Sequence, residues 1–142
     1  MYVLTHSTYS LFLSFHSTLI MWKIKKSLLL NAIIAANNFL PTEFVCLLGG
    51  EKKTQEITEI IFVPSETSED AASINVLSIP LDESILGSLH SHPYSAGTPS
   101  EEDKIFFSKY SLNIILGYPY LIENALFFDE KGRRIPVLVQ EG

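Results

Sequence analysis

Cysteine is nearly absent, with Cys46 standing alone among 142 residues. One thiol excludes an internal disulfide framework, a four-cysteine zinc site and a Cys-x-x-Cys redox centre, and it fits a reducing, cytoplasmic setting. Basic residues are also thin, ten Lys and Arg against sixteen Asp and Glu for a formal charge of −6. They are scattered rather than gathered into a stripe, which removes nucleic acid as the main partner. No stretch supplies the roughly 20 apolar residues of a spanning helix, so no membrane partner is expected.

Residues 1–22 contain no Asp, Glu, Lys, Arg, Gly or Pro. Their apolar centre (Leu11, Phe12, Leu13, Phe15) is broken by Ser14, His16, Ser17 and Thr18. Lys23, Lys25 and Lys26 follow it, whereas a secretory signal carries its positive charge ahead of the apolar region. The ordered pattern begins at Met21, so residues 1–20 read as an N-terminal extension, either disordered or lying upstream of the true start. If translated, the segment is expected to pack on the domain, a partner or a membrane surface. Residues 21–142 are long enough for one domain with its own core.

From Met21, Trp22 and Ile24 alternate with Lys23 and Lys25, which predicts a short strand with one wet face. Ser27 is placed to cap a helix over residues 28–39, where Leu29, Leu30, Ile33, Ile34 and Ala36 recur at helical spacing and Pro41 ends the run. Residues 44–48 are continuously apolar up to Gly49-Gly50, and residues 57–63 are rich in β-branched side chains, so a hairpin is expected. Residues 64–72 read as an exposed acidic loop, a candidate substrate rim, and residues 74–79 as a returning strand. Further strands are expected at 85–91 and 112–116, a helix at 99–110, and a hairpin joining 125–128 to 135–139 around Lys131-Gly132. The order implies an α/β fold in which a mixed, largely antiparallel sheet carries a helix on each side.

The chemistry concentrates in His90-Ser91-His92-Pro93. Side chains two apart on a strand share a face, so both imidazoles can address one point while Ser91 faces away. Pro93 ends the strand and Gly97 permits a tight reversal. Thr98-Pro99-Ser100-Glu101 has the pattern of a helix start, with Thr98 as N-cap and Glu101 closing a capping box. Ser100 and Asp103 then lie on one helix face and can turn back toward the histidines. Two imidazoles and a carboxylate form the open three-ligand set of catalytic zinc.

Zinc lowers the pKa of a bound water to roughly 7 from roughly 15.7, but a base must still collect the proton and deliver it to the leaving amine. Glutamates at 43, 51, 56, 59, 66, 69 and 83 are available upstream. Glu43 is the best candidate, because it sits where the helix ended by Pro41 passes into an apolar strand, on backbone expected to be rigid.

Taken together, His90-Ser91-His92-Pro93, six residues, Ser100, two residues and Asp103, with Glu43 upstream, resemble the motif of the JAMM/MPN+ metalloproteases. Pro41-x-Glu43-Phe44 with Leu47-Leu48, and Ile114-Ile115-x-Gly117-Tyr118-Pro119, look like the compact prokaryotic and archaeal members. The resemblance covers roughly residues 21–139. It implies a cytidine deaminase-like fold and one zinc ion on His90, His92 and Asp103. It also implies Glu43 as general base and acid, and Ser100 as hydrogen-bond donor to the oxyanion. Similar proteins cut isopeptide or peptide bonds after the C-terminal Gly of ubiquitin-like or sulfur-carrier modifiers. An extended modifier tail would be clamped by strand addition near residues 72–79.

Each residue also has a plainer reading. A lone His-x-His can be an ordinary sheet feature, Asp103 a partner of the helix dipole and Ser100 a simple helix-start residue. Glu43 alone would be a surface residue, and only the combination discriminates. Cys46 lies in an apolar run, where an inert buried thiol is the usual fate. His6 and His16 fall outside the motif, and Tyr118 and Tyr120 serve equally as groove or packing residues. A zinc deaminase needs His-x-Glu with Pro-Cys-x-x-Cys, and a thermolysin-like protease His-Glu-x-x-His; the chain has neither. The remaining alternative is a catalytically silent MPN-type interaction scaffold, which would have no need of the ligands.

Overall fold

A computed structural model describes residues 2–3, 21–62, 65–67, 72–74, 83–95 and 97–142. Ten strands are present among them: β1 (Tyr2–Val3), β2 (Trp22–Lys25), β3 (Val45–Glu51), β4 (Glu56–Ile61), β5 (Ser65–Thr67), β6 (Ala72–Ile74), β7 (Ile85–His92), β8 (Leu112–Gly117), β9 (Ala125–Phe128) and β10 (Val137–Gln140). Two α-helices, α1 (Lys26–Phe39) and α2 (Glu101–Phe107), and a 3-10 turn at Ile122–Asn124 complete the described elements. Eight strands form one sheet in the order β1-β10-β2-β4-β3-β7-β8-β9, and β5 pairs with β6 in a second, two-stranded sheet. Pairing is mixed: β3 is antiparallel to both β4 and β7, while β7 runs parallel to β8 and β2 parallel to β4 and β10.

The two faces of the large sheet are unequal. Leu29, Ala32, Ile33 and Ala36 of α1 pack on Trp22, Ile24, Phe44, Cys46, Leu48, Leu89, Ile114 and Phe127 in an extended apolar core. The α2 face has a much smaller one, in which Phe107 meets Ile115 and Phe128. Alternation along the strands assigns the faces, since Ile114 and Phe127 look toward α1 while Ile115 and Phe128 look toward α2. A large apolar face on one side leaves room for buried polar groups on the other.

Several expectations are corrected. Helix α1 begins at Lys26, so Ser27 lies inside it, and the N-cap is Lys25 with no side-chain cap bond. The chain enters α1 directly from β2, and strand pairing fixes the entry without a cap. Strand β3 continues through Gly49 and Gly50, where a register irregularity falls; a Cβ on Gly50 would collide with the Glu56 carbonyl oxygen. The glycines permit close backbone approach rather than end the strand. Ser65–Thr67 is a strand paired with Ala72–Ile74 instead of open loop, and residues 75–79 lie outside the described residues.

The hairpin expected between 125–128 and 135–139 forms only at its turn, where Phe128 and Arg134 make an antiparallel bridge, and its ladder does not continue into β10. A tight reversal exists, with Asp129 N–H donating to the Arg133 carbonyl and Ile135 N–H to that of Phe127. Pro136 then cannot donate to a ladder, and β10 crosses to pair with β1 and β2 near the far edge of the sheet. Among the described residues no helix is long and apolar enough to cross a membrane.

Candidate metal centre

His90 and His92 lie at the carboxyl end of β7, where a β7-α2-β8 unit turns from strand to helix, the position at which parallel units gather ligand-binding groups. His90 is paired with Ile115 of β8 and its ring centroid is 6.0 Å from that of Phe107, so the histidines occupy the α2 face. They are 7% and 9% exposed, which places both imidazoles out of bulk water. Ser91 between them is fully buried on the opposite face.

The connection to α2 is shaped by Gly97, whose φ of 98° lies in the left-handed region and whose open side rests on Ile115 and Leu126. The helix begins later than the sequence suggests, and Ser100, not Thr98, is the N-cap. Ser100 Oγ accepts from Asp103 N–H at 3.1 Å, and Asp103 Oδ2 accepts from Ser100 N–H at 2.8 Å. This capping box pairs Ser100 with Asp103 rather than Thr98 with Glu101, and satisfies two otherwise orphaned donors. Helix α2 is correspondingly shorter than the expected 99–110.

The box orients Asp103. Its Oδ1 is 3.0 Å from His90 Nε2 and its Oδ2 is 3.2 Å from His92 Nε2, while the two Nε2 atoms are 3.0 Å apart. Three potential ligands thus converge, each neighbouring pair of donor atoms 3.0–3.2 Å apart, with Asp103 meeting the two imidazoles through different oxygens. Bonds of about 2.0–2.2 Å around a tetrahedral centre set neighbouring ligand atoms roughly 3.3–3.6 Å apart, slightly wider than the separations here, so a small spreading of the donor set suits it to a zinc ion. The fourth coordination direction has no protein ligand among the described residues, since the cluster of potential ligands contains only these three.

Burial opposes ionisation of Asp103, but hydrogen bonds with His90 and His92, the charge of His90 and the Ser100 N–H outweigh it. They hold the carboxyl far below the usual carboxylate range. The third potential ligand is therefore an anion. His92 is steadied on its other nitrogen, with Nδ1 3.1 Å from Ser95 Oγ. In the tautomer carrying the proton on Nδ1, His92 donates to Ser95 and leaves the Nε2 lone pair on the side of His90 and Asp103. Ser95 is in turn fixed by its carbonyl, which accepts from Tyr118 N–H at 3.1 Å.

Glu43 is half-buried in the connection between α1 and β3. Val45 is paired with His90, and Phe44 is bonded to Ser91, so continuing the register sets Glu43 opposite His92. Opposed residues in an antiparallel pair share a face, and that face is the one bearing the imidazoles. Ser100 is exposed, and its oxygen, although accepting in the capping box, keeps its own hydroxyl hydrogen to donate.

Sequence reasoning missed Ser95 and Asn113. Asn113, fully buried in β8, accepts from the Ser88 hydroxyl at 2.6 Å and donates to the carbonyls of Phe107 and Tyr110 at 3.2 and 3.0 Å. It ties the C-terminal end of α2 to the sheet. The signal was available as a lone amide within the apolar run 112–116, whereas nothing in the spacing marks Ser95. Cys46 is buried in the main core, and burial pushes its thiol up, away from the thiolate form. Tyr118 is half exposed while Tyr120 is buried, their rings meeting edge to face.

Residues 25–126 match the family described as prokaryotic homologues of the JAB domain. A Haloferax volcanii protein named a probable metalloprotease is 29% identical over 110 residues, covering 71% of this chain and 68% of its own length. A solved structure described as a JAMM metalloprotease-like zinc site in the proteasome and signalosome superposes with a TM-score of 0.64 at 28% identity, over 86% of this chain and 98% of that one. A JAB1/MPN domain protein from Archaeoglobus fulgidus gives 0.64 at 30% identity, over 84% and 97%. A Desulfitobacterium hafniense protein, at 0.56 and 18% identity, covers 86% of this chain and 94% of its own and is alike in fold alone.

Proposed function

The chain belongs to the prokaryotic branch of the JAMM/MPN+ metalloprotease family, and from that membership we propose that it hydrolyses the isopeptide or peptide bond following the C-terminal Gly of a ubiquitin-like or sulfur-carrier modifier. The observation that carries the reading is the convergence of His90, His92 and Asp103, neighbouring donor atoms 3.0–3.2 Å apart, at a strand-to-helix junction. These residues would hold one zinc ion. When bound, zinc supplies Lewis acidity, polarising the scissile carbonyl and lowering the pKa of a water to about 7.

The protein's own groups do the rest. Glu43, opposite His92 by register, takes the proton of the attacking water and returns it to the leaving amine. Ser100 donates its hydroxyl hydrogen to the oxygen on which negative charge develops. Asp103 enters the site already ionised, and Ser95 accepts from His92 Nδ1 when Nε2 is the ligating nitrogen. A single buried thiol and the chemistry of such modifiers accord with work in the cytoplasm.

The test combines metal content with cleavage of diglycine-terminated modifier fusions by the wild type and Glu43→Gln. About one zinc per chain is expected in both proteins, with cleavage by the wild type only. Metal-free protein from zinc-replete medium, or an active Glu43→Gln, would overturn the assignment.

A further inference from the structure

Ser91 has no part in the proposed chemistry, yet it is fully buried and doubly engaged. Its Oγ accepts from the Phe44 N–H at 2.8 Å, and its own N–H donates to the Phe44 carbonyl at 2.9 Å. In a regular antiparallel ladder the Phe44 N–H would seek the opposing carbonyl. Here a side chain takes that place, and the amide it grips is the one joining Glu43 to Phe44.

We propose that Ser91 is a positioning residue that clamps the Glu43–Phe44 peptide and so holds Glu43 on the metal-facing side of the sheet. This rests on the role proposed above for Glu43. The clamp is well placed, because β3 begins at Val45, paired with His90, and the two Ser91–Phe44 bonds carry the contact with β7 one residue further toward Glu43. Phe44 is locked on the α1 face, 2% exposed, with its ring 5.1 Å from Phe39 and 6.0 Å from Phe62. Alternation then turns Glu43 to the α2 face. Tyr120 marks the same neighbourhood from below. Burial pushes its phenol up, the Ser91 hydroxyl acts against that rise and the Glu43 carboxylate adds to it, although the phenol oxygen makes no hydrogen bond of good geometry. One strand residue therefore serves two sides: its neighbours aim at the metal site while its own hydroxyl sets the distance to the base.

The clamp is tested without turnover in cobalt-substituted protein, using Ser91→Ala. Amide hydrogen exchange at Phe44 should accelerate at least tenfold, and the paramagnetic shift of the Glu43 amide should change, with cobalt still at one per chain. Unchanged exchange and shift would overturn the proposal whether or not the chain is a protease. In cleavage of the diglycine fusion, kcat should fall ten- to a hundredfold with KM within twofold. Ser91→Thr, which keeps the hydroxyl, should restore exchange and rate to within threefold. If Ser91→Ala is too unstable to purify, Ser91→Cys, with its weakly accepting sulfur, should show the same effects in smaller measure. A wild type that binds metal without cleaving would sink the protease reading alone.

Discussion

Asp103 serves two structures with two oxygens: both face the imidazoles, and Oδ2 also closes the capping box with Ser100 N–H. Substitutions separate these duties. Asp103→Asn keeps an acceptor for the cap but loses the charge that a zinc ligand needs, so zinc content should fall well below one per chain, and the metal-free protein should lose the stability that the lowered Asp103 pKa reports at neutral pH. Asp103→Ala loses both and should unfold more easily than Asp103→Asn by about 1 kcal/mol in urea titrations of metal-free protein. The ligand pattern was legible in sequence because it depends only on local periods, two on a strand and a capped turn. The cap itself was misassigned, since Thr98 and Ser100 are chemically equivalent candidates and only the path after Gly97 chooses between them.

Asp129 offers a residue-scale test remote from the site. Its Oδ1 accepts from the N–H groups of Lys131 and Arg133 at 2.9 Å each, and its Oδ2 from Arg133 Nε at 3.0 Å. Burial works against the charge, but these donors win and lower its pKa. A depressed folded pKa means that the unfolded chain binds the proton more readily as pH falls. The contribution is therefore complete above the unfolded value of about 3.9 and is lost as pH drops through the folded one. Asp129→Asn should destabilise by about 1–2 kcal/mol at neutral pH, and the gap from wild type should close as acid unfolding experiments go below about pH 4.

At the scale of elements, α2 is the part least able to stand alone. Seven residues make about two turns, too few for a helix to persist in water without tertiary support. Its first turn is held by the Ser100/Asp103 box, its last by Phe107 in the small core and by Asn113 gripping the carbonyls of Phe107 and Tyr110. Asn113→Ala strands the Ser88 hydroxyl and both carbonyls in a buried site. It should cost about 2–3 kcal/mol in chemical denaturation and weaken zinc affinity measured by chelator competition, although Asn113 touches no ligand. Sequence patterns located most elements well, including the β3-β4 hairpin and the strand carrying the histidines. They located β9 and β10 but missed the partners of β10, because hydrophobic alternation marks a strand without naming its partner, and Pro136 sends β10 to the opposite region of the sheet.

Across the whole molecule, stability and chemistry lie on different faces. The α1 face has the extended core, whereas the α2 face is joined by a few buried aromatics, the Asn113 bonds and the cluster of His90, His92 and Asp103. A zinc ion at that cluster would link β7 to α2, which the apolar core does little to join. Chelation should therefore leave a cooperatively folded protein, because the α1-side core is untouched, but one whose α2 amides exchange faster than those of β3 and β7. Restoring free zinc to about a hundred times its dissociation constant should return roughly 2.7 kcal/mol, or on the order of 10 °C in Tm for a chain of this size. The same addition should move the Tm of His92→Ala hardly at all. Uniform loss of protection over both faces after chelation would mean that the metal supports the entire fold rather than the helix that delivers its third ligand.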